Sequence, residues 1–139
     1  MAIKIEQIKG LKVPNTFIEI VSKEIAFSEC FSDKAKSLTL NFKDPEYGPE
    51  AGGFHPVEVR LEKHTNNWQF EYITDFSYQG NVYPELVKEI DICFSSKRVF
   101  HLLVGWLNHH EAKELFALFI SNFVEYYRTG CYQVSITCD

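Results

Sequence analysis

The sequence contains no apolar run long enough to cross a bilayer. Its longest, Val99 to Leu107, contains His101 and falls well short of the roughly 20 residues a spanning helix needs. The first residues, Met1-Ala2-Ile3-Lys4-Ile5-Glu6, carry charges where a secretory leader requires an apolar core. These two absences set the expectation of a cytoplasmic chain. An excess of positive charge is also missing. Lysine and arginine number 14 against 19 acidic residues, for a formal net charge of −5. Phosphate backbones and anionic membranes are gripped by clustered Lys and Arg. The nearest approach to a cluster, Lys34 and Lys36, reads as a solvated turn. Nucleic acid and membrane surfaces are therefore disfavoured as partners.

Cysteine is sparse and scattered. Cys30, Cys93, Cys131 and Cys138 form no CxxC pair and no Cys/His run at zinc spacing. The expectation is four reduced, partly buried thiols. The chain has no nucleophile elbow of the GxSxG type, no phosphate loop, no GxGxxG and no HExxH. His109-His110-Glu111 resembles a metal motif only superficially, because adjacent helical residues point in different directions. No cofactor and no metal-ligand set are expected. Repeats, linkers and low-complexity segments are absent too.

What the chain has in quantity is core-forming residues. Apolar residues make up 45% of its 139 positions and phenylalanine alone occurs 12 times. That supply fills one core without staples. A single domain over residues 1–139 follows, with residues 1–13 as an N-terminal arm or short strand.

Two segments carry helical spacing. Phe17, Ile20, Val21 and Ile25 form one stripe, behind Pro14 and a Thr16/Glu19 pair that fits a capping box. Ala112, Leu115, Phe116, Phe119, Phe123 and Tyr127 form a broader stripe, opened by Asn108 with Glu111 and closed by Gly130. Between them the period is two. Leu38/Leu40/Phe42, Val57/Val59/Leu61, Trp68/Phe70/Tyr72 and Ile90/Ile92/Phe94 alternate with more polar neighbours, as half-buried antiparallel strands do. Val99 to Trp106 reads as a strand covered on both faces, and Tyr132 to Cys138 as a last strand. The fold class is α+β: an antiparallel meander of about five to six strands with two helices packed on one face.

The connections are unequal. His64–Asn67 and Ser95–Lys97 are tight turns. Asp44–Pro56 is long, and it concentrates three of the five prolines and three of the seven glycines. Such a loop in a compact domain is a functional candidate. Ser77–Pro84 is a second elaborate connection. In a meander, alternate connections lie at the same end of the sheet. Both loops should therefore share one end, gathering Asp44, Glu46, Tyr47, His55, Glu58, Asp75, Tyr78, Tyr83 and Glu85. There His55 is a candidate base, with Asp75 or Glu58 as its orienting carboxylate. Asp75 also reads as a turn cap, and Glu58 with Arg60 as a cross-strand ion pair. Tyr47, Phe54, His55, Tyr78 and Tyr83 form a candidate binding surface, since tyrosine offers large contact area at low entropic cost.

Three strings carry a family resemblance. Gly52-Gly53-Phe54-His55-Pro56-Val57-Glu58-Val59-Arg60-Leu61 resembles a signature of the bacterial domain of unknown function 2787. Tyr72-Ile73-Thr74-Asp75-Phe76-Ser77-Tyr78, with Tyr83-Pro84-Glu85-Leu86-Val87, is similar to its middle section. Asn122-Phe123-Val124-Glu125-Tyr126-Tyr127, followed by Gly130 and Tyr132, resembles its end. The resemblance spans roughly residues 35–138. It implies a bacterial origin, gammaproteobacterial or on a mobile element, and implies no activity or catalytic residues.

The leading reading is a non-catalytic binding or interaction domain that uses the two loops to take an unknown protein or small-molecule partner. The alternatives are a small acid–base hydrolase built on His55 with Asp75 or Glu58, and a structural homodimer that buries an aromatic surface.

Overall fold

The computed structural model describes residues 3–139, so the first two residues of the expected arm lie outside the described residues. The elements are β1 (Ile5–Glu6), α1 (Asn15–Ala26), β2 (Ser37–Lys43), β3 (Val57–His64), β4 (Asn67–Gln79), β5 (Glu85–Cys93), β6 (Arg98–His101), β7 (Gly105–Trp106), α2 (His109–Arg128) and β8 (Gln133–Cys138). The strands make one eight-stranded sheet in the order β7-β6-β5-β4-β3-β2-β8, with β1 alongside β4. The fold is α+β and the meander runs from β2 to β7, but the sheet has more strands than the five to six expected. Two of the extra ones, β1 and β7, are two-residue strands, too short to show a period. β1 pairs in parallel with Trp68 and Gln69 of β4.

Both helices lie on one face. Phe17 of α1 meets Phe70 of β4 and Phe123 of α2, with ring centroids 5.8 and 5.4 Å apart. Phe94 and Phe116 join β5's end to α2. The α2 cap forms as its sequence predicts: the Glu111 N–H donates to Asn108 Oδ1 at 2.9 Å, and the Asn108 N–H donates back to Glu111 Oε1. The α1 capping box does not form. Pro14 is the cap residue, with φ −58°, and its carbonyl accepts the Phe17 and Ile18 N–H groups. A proline's preset φ suits the entry to a helix, and with the helix starting at Asn15, Thr16 falls inside the first turn, where it cannot cap.

The other sheet face carries a network of polar side chains. The Arg60 guanidinium donates to Glu71 (2.9 Å) and to Thr39 (3.1 Å). Tyr72 donates to Glu58, and Thr74 to Asp91. Tyr72 reaches this face because of a bulge. The ladder skips Glu71 between the Arg60–Tyr72 and Leu61–Phe70 pairs. Strict alternation puts Tyr72 in the core with Trp68 and Phe70. The extra residue inverts the parity, so Ile73 is buried in its place.

Val99 to Trp106 is not one covered strand. The chain turns after His101, whose Nδ1 accepts the Leu103 N–H at 3.1 Å, and it returns as β7. Leu103, Val104 and Trp106 are consequently exposed, and the Arg98 guanidinium lies 4.3 Å from the Trp106 ring centroid. Among the described residues, no helix is long and apolar enough to cross a membrane.

The thiols also depart from expectation. Cys30 and Cys138 form a disulfide, with Cα atoms 6.0 Å apart and a sequence separation of 108, while Cys93 and Cys131 are free. Spacing could not reveal this pair. It is made by β8 crossing back to the β2 edge, which brings the chain end beside the segment after α1. A crosslink over so long a loop stabilises by about 2–4 kcal/mol, chiefly through the unfolded chain. Cys30 is exposed, so reductant has access to it. Urea unfolding should show a lower midpoint in reductant, and Cys30→Ser should reproduce that midpoint without reductant. Equal midpoints in all three samples contradict the assignment.

Candidate functional site

The 44–56 loop has a defined shape, and Asp44 sets it. This buried carboxylate accepts the N–H of Glu46 and of Phe54, each at 3.0 Å. Gly48 and Gly52 exchange two backbone hydrogen bonds across the loop's waist. Gly53 has φ +112°, and a Cβ there would stand 2.9 Å from Asp44 Oδ2 and 3.1 Å from Tyr47 Cα. Only glycine passes beneath the closure. The loop then lays Tyr47 against Tyr78, with ring centroids 5.4 Å apart, and the Tyr47 hydroxyl accepts the Tyr78 N–H at 3.0 Å. The two long connections thus meet at one end of the sheet.

His55 follows at the base of the loop. Its Nδ1 lies 3.2 and 3.3 Å from the two Asp75 oxygens and 3.6 Å from Glu89 Oε2. The Asp75 side chain is 10% exposed, and those of His55 and Glu89 are 34% and 26% exposed. The hydrogen bond to Asp75 raises the His55 pKa above its ordinary value, outweighing partial burial, and the charges of Asp75 and Glu89 add to it. Burial pushes the Asp75 carboxyl above the usual carboxylate range, although His55 pulls the other way. The backbone carbonyl of His55 accepts the Tyr132 hydroxyl at 3.3 Å.

These polar groups form one corner of a cavity of about 270 Å³ between the loop and α2. Phe54, Leu118, Phe119, Phe123, Tyr126 and Tyr132 supply most of its apolar wall. Phe54 packs on Tyr126 with ring centroids 4.4 Å apart.

The candidate residues separate into three groups. His55, Asp75 and Phe54 meet at the cavity. Asp75 bonds the histidine rather than capping a turn. Tyr47 packs on His55, its ring centroid 5.3 Å from the imidazole, and Tyr78 stacks on Tyr47. Tyr83 and Glu58 are elsewhere. Tyr83 is 84% exposed at the tip of its turn. Glu58 lies on the polar face bonded to Tyr72, and Arg60 pairs with Glu71 rather than with it. Val57 pairs with Asp75, so the next residue, Glu58, necessarily points to the opposite side from the cavity.

Glu89 escapes sequence reasoning because alternation with Ile90 and Ile92 places it on the wet side. A second bulge corrects this. The ladder passes from Asp75–Ile90 to Phe76–Lys88 and leaves Glu89 as the extra residue. The signal is present in the sequence: Val87, which pairs with buried Ser77, and Ile90 are three residues apart, and a regular strand cannot place both on one face.

The fold and site together define an open antiparallel sheet backed by two helices, with a histidine–carboxylate cluster at the polar corner of an apolar cavity. The chain belongs to the family described as protein of unknown function (DUF2787), whose profile matches residues 15–137. That match takes in α1, which the shorter resemblance over residues 35–138 omits.

Two solved structures are similar over nearly the whole chain. One is the hypothetical protein VC0508 from the VSP-II pathogenicity island of Vibrio cholerae, at 32% identity and TM-score 0.90, covering 99% of each chain. The other is the conserved hypothetical protein VC1805 from pathogenicity island VPI-2 of Vibrio cholerae, at 31% identity and TM-score 0.83, covering 96% of this chain and 99% of that one. VC1805 is described as sharing structural homology with the human P32 protein. No curated protein sequence matches the chain.

Proposed function

We propose that this protein is a non-catalytic binding domain whose seat is the cavity between the 44–56 loop and α2. The observation that carries the reading is the cavity itself: about 270 Å³, walled by aromatic and aliphatic side chains, with its carboxylates and its imidazole at one corner. Ligand pockets have this composition, apolar for affinity with a few polar groups for orientation. The volume of about 270 Å³ lies just below their usual range of roughly 300–1,000 Å³. It suits a small molecule or one side chain of a peptide, with an apolar body and a single polar head.

The test is a fragment screen by NMR on the full chain, repeated with Asn122→Phe. Asn122 lines the cavity from an exposed position of α2, so the larger ring obstructs the cavity without entering the core. Fragments that shift His55 and Phe119 in the wild type should weaken more than about tenfold in the variant, a loss of about 1.4 kcal/mol. Undiminished binding contradicts the reading.

A second reading, an acid–base enzyme, is favoured by the His55–Asp75 contact beside the cavity. It ranks lower because no serine, threonine or cysteine lines the cavity beside His55, which leaves only a carboxylate or a water as nucleophile. Turnover of a panel of chromogenic esters and phosphates, lost in His55→Gln, would reverse the order.

A further inference from the structure

We propose that His55, Asp75 and Glu89 bind a divalent transition-metal ion, with zinc as the type case, and that its free coordination positions face the cavity. The three donors come from three separate places: the base of the 44–56 loop, β4 and β5. Each can offer one ligand atom, and these atoms all lie within 4.8 Å of one another. An imidazole nitrogen with two carboxylate oxygens is a donor set that zinc and its first-row neighbours accept.

The distances fit such an ion. Metal–ligand bonds of about 2.1 Å in a tetrahedral arrangement put neighbouring donors about 3.4 Å apart. His55 Nδ1 stands 3.2 Å from Asp75 Oδ1 and 3.6 Å from Glu89 Oε2. Two edges of the polyhedron are therefore present, and the third, between the two carboxylates, is no longer than 4.8 Å, with Glu89 the more exposed of the two.

Charge and backbone support the site independently. Among the described residues, neither Asp75 nor Glu89 pairs with a lysine or arginine; His55 is the cationic group in contact with both, and His101 adds a more distant charge on Asp75. Two carboxylates converging on one imidazole in a partly buried corner leave negative charge uncompensated, and such charge is costly unless paired or metal-bound. The β5 bulge is the second observation. Regular alternation would send Glu89 to the opposite face from Ile90, where water solvates it freely. The extra residue turns it toward His55 instead, and bulges commonly re-aim a side chain at a site.

Three protein ligands leave at least one position open on a tetrahedral ion. All three residues line the cavity. The polar head of the cavity's ligand would then be a metal donor, such as a carboxylate, phosphate or imidazole. This last step rests on the cavity being the binding seat, whereas the ion does not.

The experiment is a Zn2+ titration of the metal-free full chain, followed through the ring resonances of its five histidines. One equivalent should move His55 ahead of His64, His101, His109 and His110. Glu89→Gln should weaken that event at least about tenfold, since even outer-shell changes weaken metal sites by about 10–100-fold. His110→Ala, which removes the surface pair with Glu114, should leave it unchanged. A silent His55, or equal affinity in Glu89→Gln, overturns the proposal. Fragment binding in chelator-treated protein separates the two readings. Fragments that bind without zinc while zinc never binds remove the ion alone; zinc bound at His55 with no fragment in the cavity removes the binding seat alone.

Discussion

Phe123→Ala should lower folding stability by about 3–5 kcal/mol, the range for removing a buried phenylalanine ring. Phe123 is 2% exposed and is the hub of the aromatic core. Its ring meets Phe42 edge-on with centroids 5.0 Å apart, Phe17 at 5.4 Å and Tyr132 at 5.4 Å. These contacts join α1, α2, β2 and the start of the β8 arm, so one truncation loosens four parts of the molecule. The void would open into the existing cavity, which Phe123 also lines. A whole domain has only about 5–15 kcal/mol of stability, so the variant should be marginal. Urea unfolding measures the loss directly. A loss under about 1 kcal/mol would mean that the aromatic cluster is not the keystone of the fold.

Gly53→Ala should disable the site with a smaller but still large effect, about 2–4 kcal/mol. A side chain in the left-handed region costs about 1–2 kcal/mol. The new Cβ would also lie 2.9 Å from Asp44 Oδ2 and 3.1 Å from the backbone of Tyr47. The carboxylate can withdraw, but it then releases the Glu46 and Phe54 N–H groups that close the loop. An unsatisfied donor costs about 1–3 kcal/mol. Gly52→Ala is the control, because Gly52 has φ +73° but a Cβ there would meet nothing within 4 Å. It should show the backbone penalty alone. Hydrogen exchange at the Phe54 amide and thermal unfolding read the difference. Equal behaviour of the two variants would mean that the Asp44 closure does not hold the loop.

Much of the fold is legible in the residues, for reasons that can be named. The α2 helix declares itself because Asn108 and Glu111 form a reciprocal cap and its apolar stripe is unbroken. The meeting of the two long loops follows from meander topology, which needs only consecutive antiparallel strands. The same topology brings His55 and Asp75 to one end of the sheet. The departures share a cause. Strict alternation assigns faces to Tyr72, Ile73 and Glu89, and a single inserted residue in β4 or β5 inverts that rule. Proximity along the chain groups Glu58 with His55, although strand alternation sends it to the other face. The Cys30–Cys138 bond depends on where β8 docks, which no local pattern encodes. The cavity wall from α2 is hidden for a similar reason. Its stripe is legible as apolar, but which part of that stripe faces the loop rather than the core is a matter of tertiary packing.

The most direct test of the cavity as a binding seat is a crystal structure of the full chain soaked with the fragments that bind in solution. Density is expected between Phe54, Phe119 and Tyr126, with a polar group directed at the His55–Asp75–Glu89 corner. Fragments found only elsewhere, for example on the exposed Leu103–Trp106 surface, with the cavity holding nothing but water, would contradict it.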